Sequence, residues 1–194
     1  MTNKNSISNK TSHLSKIPIN IFCDGACFAN GSSRALASWA FYGQIDDGNV
    51  SMSGLVSGDQ TNNRGELSAI RSALVWCLEN KFYCVRVFTD SEYAKNVTVG
   101  GWKRNVNNDL LNDIDILIDK MCCVTVQWVK GHSDVQGNII ADKLASDELS
   151  KKLGPKYSRY DQGRQFSSKG LSSRKSNVGR RFGRRGIENY LGKQ

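Results

Sequence analysis

Apolar and polar positions change period several times along the chain, and each change marks an element. Residues 17–23 (IPINIFC) place Ile17, Ile19, Ile21 and Cys23 on one side and stop at Asp24-Gly25, a turn signal, so the first strand is predicted there. Residues 37–43 (ASWAFYG) and 49–56 (NVSMSGLV) read as two more strands, joined by the hairpin-length segment 44–48. From Glu66 the period becomes helical: Leu67, Ile70, Leu74 and Leu78 share one face, and Asn80 can end the run. Residues 83–89 (YCVRVFT) form a fourth strand, after which Asp90-Ser91 opens a short helical segment at a cap-like position. Leu110, Leu111, Ile114, Leu117, Ile118 and Met121 then form an apolar stripe, interleaved with Asp109, Asp113, Asp115 and Asp119 on the wet side. A fifth strand follows at 124–129, and a last helix from about Asn138 turns Ala141, Leu144, Ala145 and Leu149 inward. Strands separated by helices imply parallel crossovers added to an antiparallel hairpin, hence an α/β fold with a mixed sheet and helices on its faces.

Composition adds where the charge lies. The 194 residues carry a net charge of +9, but residues 17–152 hold 13 basic and 16 acidic side chains, whereas residues 153–194 hold 11 basic and two acidic ones. That last segment is rich in Gly and Ser and nearly lacks Val and Ile, so it cannot offset the entropy of ordering its chain. The expected organisation is a flexible arm over 1–16, a folded domain over 17–152 and a disordered basic tail over 153–194. The tail's GRRFGRRG segment (179–186) sets one Phe among four Arg, a mix suited to phosphates and base stacking, so nucleic-acid contact is expected, with a solubilising or nuclear-targeting segment as the alternative. No run reaches the roughly 20 apolar residues of a membrane span, and residues 1–16 lack the apolar core of a secretory signal, so an intracellular protein, in cytoplasm or nucleus, is expected. Cys23, Cys77, Cys84, Cys122 and Cys123 lie in apolar or strand-like runs and are expected as buried free thiols. Without a CxxC pair, and with only His13 and His132 as histidines, a zinc site is disfavoured.

The acids carry the chemistry. Asp24 and Asp90 each follow an apolar strand, where strand ends open a ligand crevice; Glu66 begins a helix, and Asp142 interrupts a stripe expected to stay apolar. Each acid taken singly also suits a turn or a helix cap. Four carboxylates in one pocket would repel one another unless a hard cation such as Mg²⁺ joined them, and two such ions roughly 4 Å apart suit phosphodiester hydrolysis.

Together these residues form a pattern: Asp24-Gly25-Ala26-Cys27 with Asn30-Gly31, Gln60-Thr61-Asn62-Asn63-Arg64 leading to Glu66, Thr89-Asp90-Ser91, and Val129-Lys130-Gly131-His132-Ser133 followed by Gly137-Asn138 and Ala141-Asp142. The pattern closely resembles type 1 ribonuclease H over residues 17–150. The resemblance implies a mixed five-stranded sheet, three strands antiparallel and the rest parallel, with helices on both faces. It implies that Asp24, Glu66, Asp90 and Asp142 bind two Mg²⁺ ions, with Mn²⁺ able to substitute, and that the RNA strand of an RNA–DNA hybrid is cut to leave 3′-hydroxyl and 5′-phosphate ends. His132 resembles the family's mobile histidine, which assists proton transfer or product release, a task for a near-neutral pKa. Asn30, Asn62 and Asn63 match hybrid-contacting positions, and an amide both donates to and accepts from a 2′-hydroxyl. Cys27 resembles a contact made through the backbone, Thr61 and Asn107 resemble residues that hold a DNA-strand phosphate, and Asn138 is counted with the substrate contacts.

Three features depart from the family. Its basic handle between the third carboxylate and the next helix is shortened here to Glu92–Asn108, with Lys95, Trp102, Lys103 and Arg104 as remnants; Asp59 stands where relatives often carry Arg; and the glycine-rich stretch after Asn30 is altered to Ser32-Ser33-Arg34-Ala35-Leu36. The basic tail is expected to supply the phosphate attraction that the handle lacks. A free monomeric enzyme is the simplest reading. The alternatives are a catalytically silent hybrid-binding module and a related metal-dependent nuclease such as a resolvase, the latter disfavoured by Thr61-Asn62-Asn63-Arg64 and the His132 loop.

Overall fold

The computed structural model describes residues 17–46, 48–131 and 134–154. The expected N-terminal arm, His132, and the tail beyond Gly154 lie outside the described residues. Five strands and four helices follow in the order β1 (Ile19–Phe28), β2 (Leu36–Ile45), β3 (Gly48–Leu55), α1 (Asn62–Glu79), β4 (Cys84–Thr89), α2 (Glu92–Thr98), α3 (Asn108–Asp119), β5 (Cys123–Trp128) and α4 (Gln136–Leu153). The sheet order is β3-β2-β1-β4-β5, with β1–β2 and β2–β3 antiparallel and β1–β4 and β4–β5 parallel. This is the mixed sheet that the sequence predicts.

Alternation along β1 assigns the helices to opposite faces. Ile21 and Cys23 join Phe41, Leu67, Ile70, Leu74, Val85, Val87, Leu111 and Ile114 in the main core, beneath α1 and α3. Phe22 and Ala26 point the other way, where Ala26 packs with Ala40, Ala145 and Leu149 of α4. Two glycines set how close the helices come. A Cβ at Gly25 would lie 2.3 Å from the Glu66 backbone nitrogen of α1, and one at Gly137 of α4 would lie 2.2 Å from the Phe22 ring.

The structure corrects three expectations. The first strand does not stop at Asp24-Gly25: the β1–β2 ladder continues through Asp24↔Ala40 to Phe28↔Leu36, so Asp24 is a mid-strand residue. Helix α1 begins one turn earlier than Glu66, because the Thr61 side chain accepts from the Arg64 N–H and caps it. The cysteines are not all buried free thiols. Cys84 and Cys123 are register partners on β4 and β5 and form a disulfide, and Cys122 is exposed; Cys23 and Cys77 are buried free thiols as expected.

Phe22 also stacks on Phe88 with centroids 4.8 Å apart, so its ring is hemmed in against the α4 helix. Gly137→Ala is therefore expected to lower stability by about 1–3 kcal/mol, the usual cost of overpacking. A second change, Phe22→Leu, should recover part of that loss. Urea unfolding midpoints of the three chains check this, and an unshifted midpoint in Gly137→Ala would show that α4 docks without this contact.

Candidate active site

Three acids meet where the parallel β1–β4 ladder ends at Cys23 and Thr89. Asp24, Glu66 and Asp90 each offer a carboxylate oxygen, and these atoms lie within 4.8 Å of one another. Asp24 and Glu66 are buried and Asp90 is half-buried. Each reaches this point for a local reason. Asp24 sits on the β1–β2 ladder and accepts the Gly25 N–H at 2.7 Å. Glu66 arrives with α1, whose backbone can touch β1 because Gly25 carries no side chain; Gly65 is equally constrained, since a Cβ there would lie 2.6 Å from the Ser38 carbonyl oxygen. Asn62, one turn back, donates to Glu66 Oε1 at 3.5 Å. Asp90 follows β4 in a turn fixed by the Ser91 N–H donating to Thr89 Oγ1, by Ser91 capping α2, and by the Trp128 indole donating to the Asp90 carbonyl at 3.0 Å.

Like charges this close repel one another by about 4 kcal/mol per pair at 4 Å in an effective dielectric of 20. The arrangement therefore favours a bound cation, and an all-carboxylate donor set selects a hard, oxygen-seeking ion over zinc or copper. The negative charge is felt next door, where burial chiefly, with Cys77, Glu66 and Asp24, pushes the Cys23 thiol well above its ordinary value. That thiol stays protonated and inert.

Asp142 lies outside this group of three. It is half-buried on α4, on the stripe shared by Asn138 and Ala145 that turns toward the sheet face carrying Asp24. Asn138 is 3% exposed, and its side-chain oxygen has no hydrogen bond among the described residues. His132 is outside the described residues.

The other predicted contacts form a chain across the N-termini of α1 and α3. Asn30, in the turn after β1, accepts the Asn62 N–H at 3.2 Å, and Cys27 Sγ lies 3.8 Å from the Gln60 carbonyl oxygen. Thr61 caps α1, and Asn63 is exposed on its first turn. Asn107 adopts the left-handed region at φ 60°, which Asn tolerates; its amide donates to the Tyr93 hydroxyl at 3.0 Å and accepts from Arg64 at 3.5 Å. Arg64 links the two helices. It is bidentate to Asp109, at 2.9 and 2.7 Å, and Asp59 adds to the hold on its proton.

Sequence reasoning passed over Arg64, Gln60 and Tyr93 as supports. The signal for Arg64 was its spacing, three residues before Leu67 on the apolar stripe of α1, where a buried cation requires an acid partner. Gln60 fixes the loop before α1, accepting from the Ala37 N–H and donating to the Val56 and Gly58 carbonyls. The handle remnants are partly consumed by structure: Arg104 pairs with Asp115 and donates to the last carbonyls of α2, at Val97 and Thr98, while Trp102 stays half-exposed.

Comparison with known proteins bears on this geometry. The family model for RNase H matches residues 16–150. The chain belongs to the RNase H family. It is 36% identical over 144 residues to a ribonuclease H of Ruthia magnifica, covering 68% of this chain and 94% of that protein. It is also 36% identical over 140 residues to the ribonuclease H of Schizosaccharomyces pombe, covering 64% of this chain and 50% of that protein. RNase H1 from Halobacterium salinarum shares the fold at a TM-score of 0.58 and 23% identity, over 69% of this chain and 98% of that one. LC11-RNase H1, solved in complex with an RNA/DNA hybrid, shares it at 0.58 and 21%, over 70% and 99%.

Two outcomes are expected at this site. Gly25→Ala should push α1 off β1 and weaken Mn²⁺ binding at least tenfold, as isothermal titration would record. For the Arg64–Asp109 pair, the Arg64 guanidinium holds the Asp109 carboxyl down at about 2. A carboxyl depressed on folding contributes stability that is complete above its unfolded value, near 4, and is lost as pH falls through the folded one. Stability should therefore drop between about pH 4 and pH 2, and Asp109→Asn should flatten that limb of a stability–pH profile. The effect is modest, because the Asp109 side chain is 63% exposed.

Proposed function

We propose that this chain is an endonuclease that hydrolyses the RNA strand of RNA–DNA hybrids, leaving 3′-hydroxyl and 5′-phosphate ends. The observation that carries the reading is the convergence of Asp24, Glu66 and Asp90 within 4.8 Å just past the end of the β1–β4 ladder, in a chain of the RNase H family. Asp24, Glu66 and Asp90, with Asp142 of α4, are the residues that would hold two Mg²⁺ ions, and Mn²⁺ suits the same donors. When bound, such ions supply an activated water and stabilise the leaving oxygen of an in-line displacement.

The protein side of the reaction follows from the residues around the carboxylates. Asn30 and Asn62, linked by a hydrogen bond, present amides next to Glu66, where a 2′-hydroxyl can be both donated to and accepted from. Asn63 and the backbone at Cys27 extend that surface, and Asn138 of α4, whose side-chain oxygen has no hydrogen bond among the described residues, serves as a further substrate contact. Thr61 and Asn107, bridged by Arg64, hold a phosphate of the DNA strand. His132 moves a proton at the scissile phosphate or eases product out. All the carboxylates come from one chain, so a monomer carries the whole site. The LC11 enzyme, alike in fold and solved with an RNA/DNA hybrid, supports this choice of substrate.

Phosphate attraction is the remaining requirement. The core from 17 to 152 carries more acids than bases, Asp59 lies beside Arg64, and Arg104 is paired with Asp115, whereas residues 153–194 hold 11 basic side chains. The tail serves as the second contact to the hybrid.

Cleavage of a labelled RNA strand, offered as hybrid, as RNA duplex and alone, tests the reading. Hybrid-only cutting is expected, abolished by chelator and lowered roughly a hundredfold or more in Asp90→Asn, the scale of removing one transition-state interaction. Binding without cutting would instead favour a silent hybrid-binding module. Removing residues 155–194 should weaken hybrid affinity and flatten its salt dependence, by about 0.9 in log–log slope for each phosphate no longer neutralised. An unchanged slope would remove the tail from the interface.

A further inference from the structure

Three of the cysteines stand together where β4 and β5 begin. Cys84 and Cys123 are opposed in the parallel ladder, with Cα atoms 4.6 Å apart, and a disulfide joins them across 39 residues of sequence. Cys122 is an exposed free thiol beside them, and the N–H groups of both Cys122 and Cys123 donate to the Tyr83 carbonyl, at 2.8 and 3.1 Å. The bond therefore ties down the first residue of β5.

Strand β5 is the edge of the sheet, and Cys123, Thr125, Gln127 and Trp128 on it are exposed. Cys84 shares its face of the sheet with Phe88, which stacks on Phe22 on the side where α4 docks. Helix α4 packs on β1, β2 and β3, so the disulfide stands on the part of that face beyond them, with Cys123 open to solvent. At its other end β5 holds the Asp90 turn: the Val129 N–H donates to the Thr89 carbonyl at 2.9 Å, and the Trp128 indole donates to the Asp90 carbonyl.

We propose that Cys84–Cys123 is a reversible redox site, opened by an external dithiol and closed by a small-molecule disulfide, that sets how firmly the edge strand β5 is held. One thiolate of the dithiol attacks the exposed Cys123 sulfur, the Cys84–Cys123 bond breaks, and Cys84 leaves as a thiolate that takes up a proton. The second thiol of the dithiol then displaces Cys123, so two electrons pass to the cysteine pair and the dithiol closes as its own disulfide. A small-molecule disulfide reverses both steps. Opening removes the covalent tie at one end of an edge strand whose remaining hold is the β4 ladder, the burial of Val126 in the main core and packing on α2, so the response is local. In a reducing compartment a lasting disulfide is unusual, and an exposed one there serves sensing more often than structure.

The full-length chain is alkylated in native buffer and mapped by peptide mass without reduction, while amide exchange is followed in parallel. Before reduction, Cys122 should be alkylated and the Cys84 and Cys123 peptides should be linked. Dithiothreitol in native buffer should free both for alkylation, and oxidised glutathione should restore the link. Exchange over residues 124–129 should rise at least tenfold on reduction and equally in the double variant Cys84→Ser, Cys123→Ser, with α1 unchanged in each. Alkylation of Cys84 or Cys123 without reductant, a link through Cys122, a bond that opens only when the chain unfolds, or equal β5 exchange in both states would overturn the proposal. None of these readouts depends on cleavage, so the outcome is independent of the nuclease reading.

Discussion

The contact of Gly25 with Gly65 is the constraint on which the site depends. A side chain on either would strike backbone, at 2.3 Å from Glu66 nitrogen or 2.6 Å from the Ser38 carbonyl oxygen, so α1 lies on β1 with nothing between them. That separation carries the Glu66 carboxylate to Asp24, the residue next to Gly25 on the same strand. The parallel pairing of β1 with β4 then delivers Asp90 to the same point, because Cys23 and Thr89 are register partners and each acid is the next residue along. A backbone contact thus becomes a convergence of charge.

Three acids of α3 are handled differently. Along α3, Asp109, Asp113 and Asp115 pair with Arg64, Arg71 and Arg104, which tie that helix to α1 and to the segment after α2. Arg64 is the most buried of these cations, and its bidentate grip on Asp109 fixes Asn107 opposite Thr61. Charge on α3 is used for packing, whereas the charge at Asp24, Glu66 and Asp90 is gathered at one place. The contrast separates a structural ion pair from a site that calls for a cation.

Much of this was legible in the chain. The alternation of Ile19, Ile21 and Cys23 and the helical spacing of Leu67, Ile70 and Leu74 report burial directly, so the sheet and α1 follow from them. Asp24-Gly25 misled because the pair is a common turn signal, whereas here the glycine serves helix approach and the ladder runs on to Phe28. The Cys84–Cys123 bond was hidden because it is a fact of strand register across 39 residues, which local pattern cannot carry. Asp142 lies on the sheet-facing helix α4, as its place in the apolar stripe suggested, yet it stands outside the three-carboxylate group. Sequence resemblance supplied the family, and the geometry supplied the reason that three of its acids meet.

The most direct test of that account is thermal unfolding of the wild type and Glu66→Gln, with and without Mn²⁺. Three crowded carboxylates should make the metal-free wild type gain stability as Mn²⁺ is added, by the mass action of a ligand that binds only the folded state. Removing one charge should make metal-free Glu66→Gln melt at or above the wild type and leave it nearly insensitive to the ion. An equal response of both chains to Mn²⁺, or a Glu66→Gln chain that is markedly less stable without metal, would contradict the claim that these carboxylates are a cation site held together by the fold.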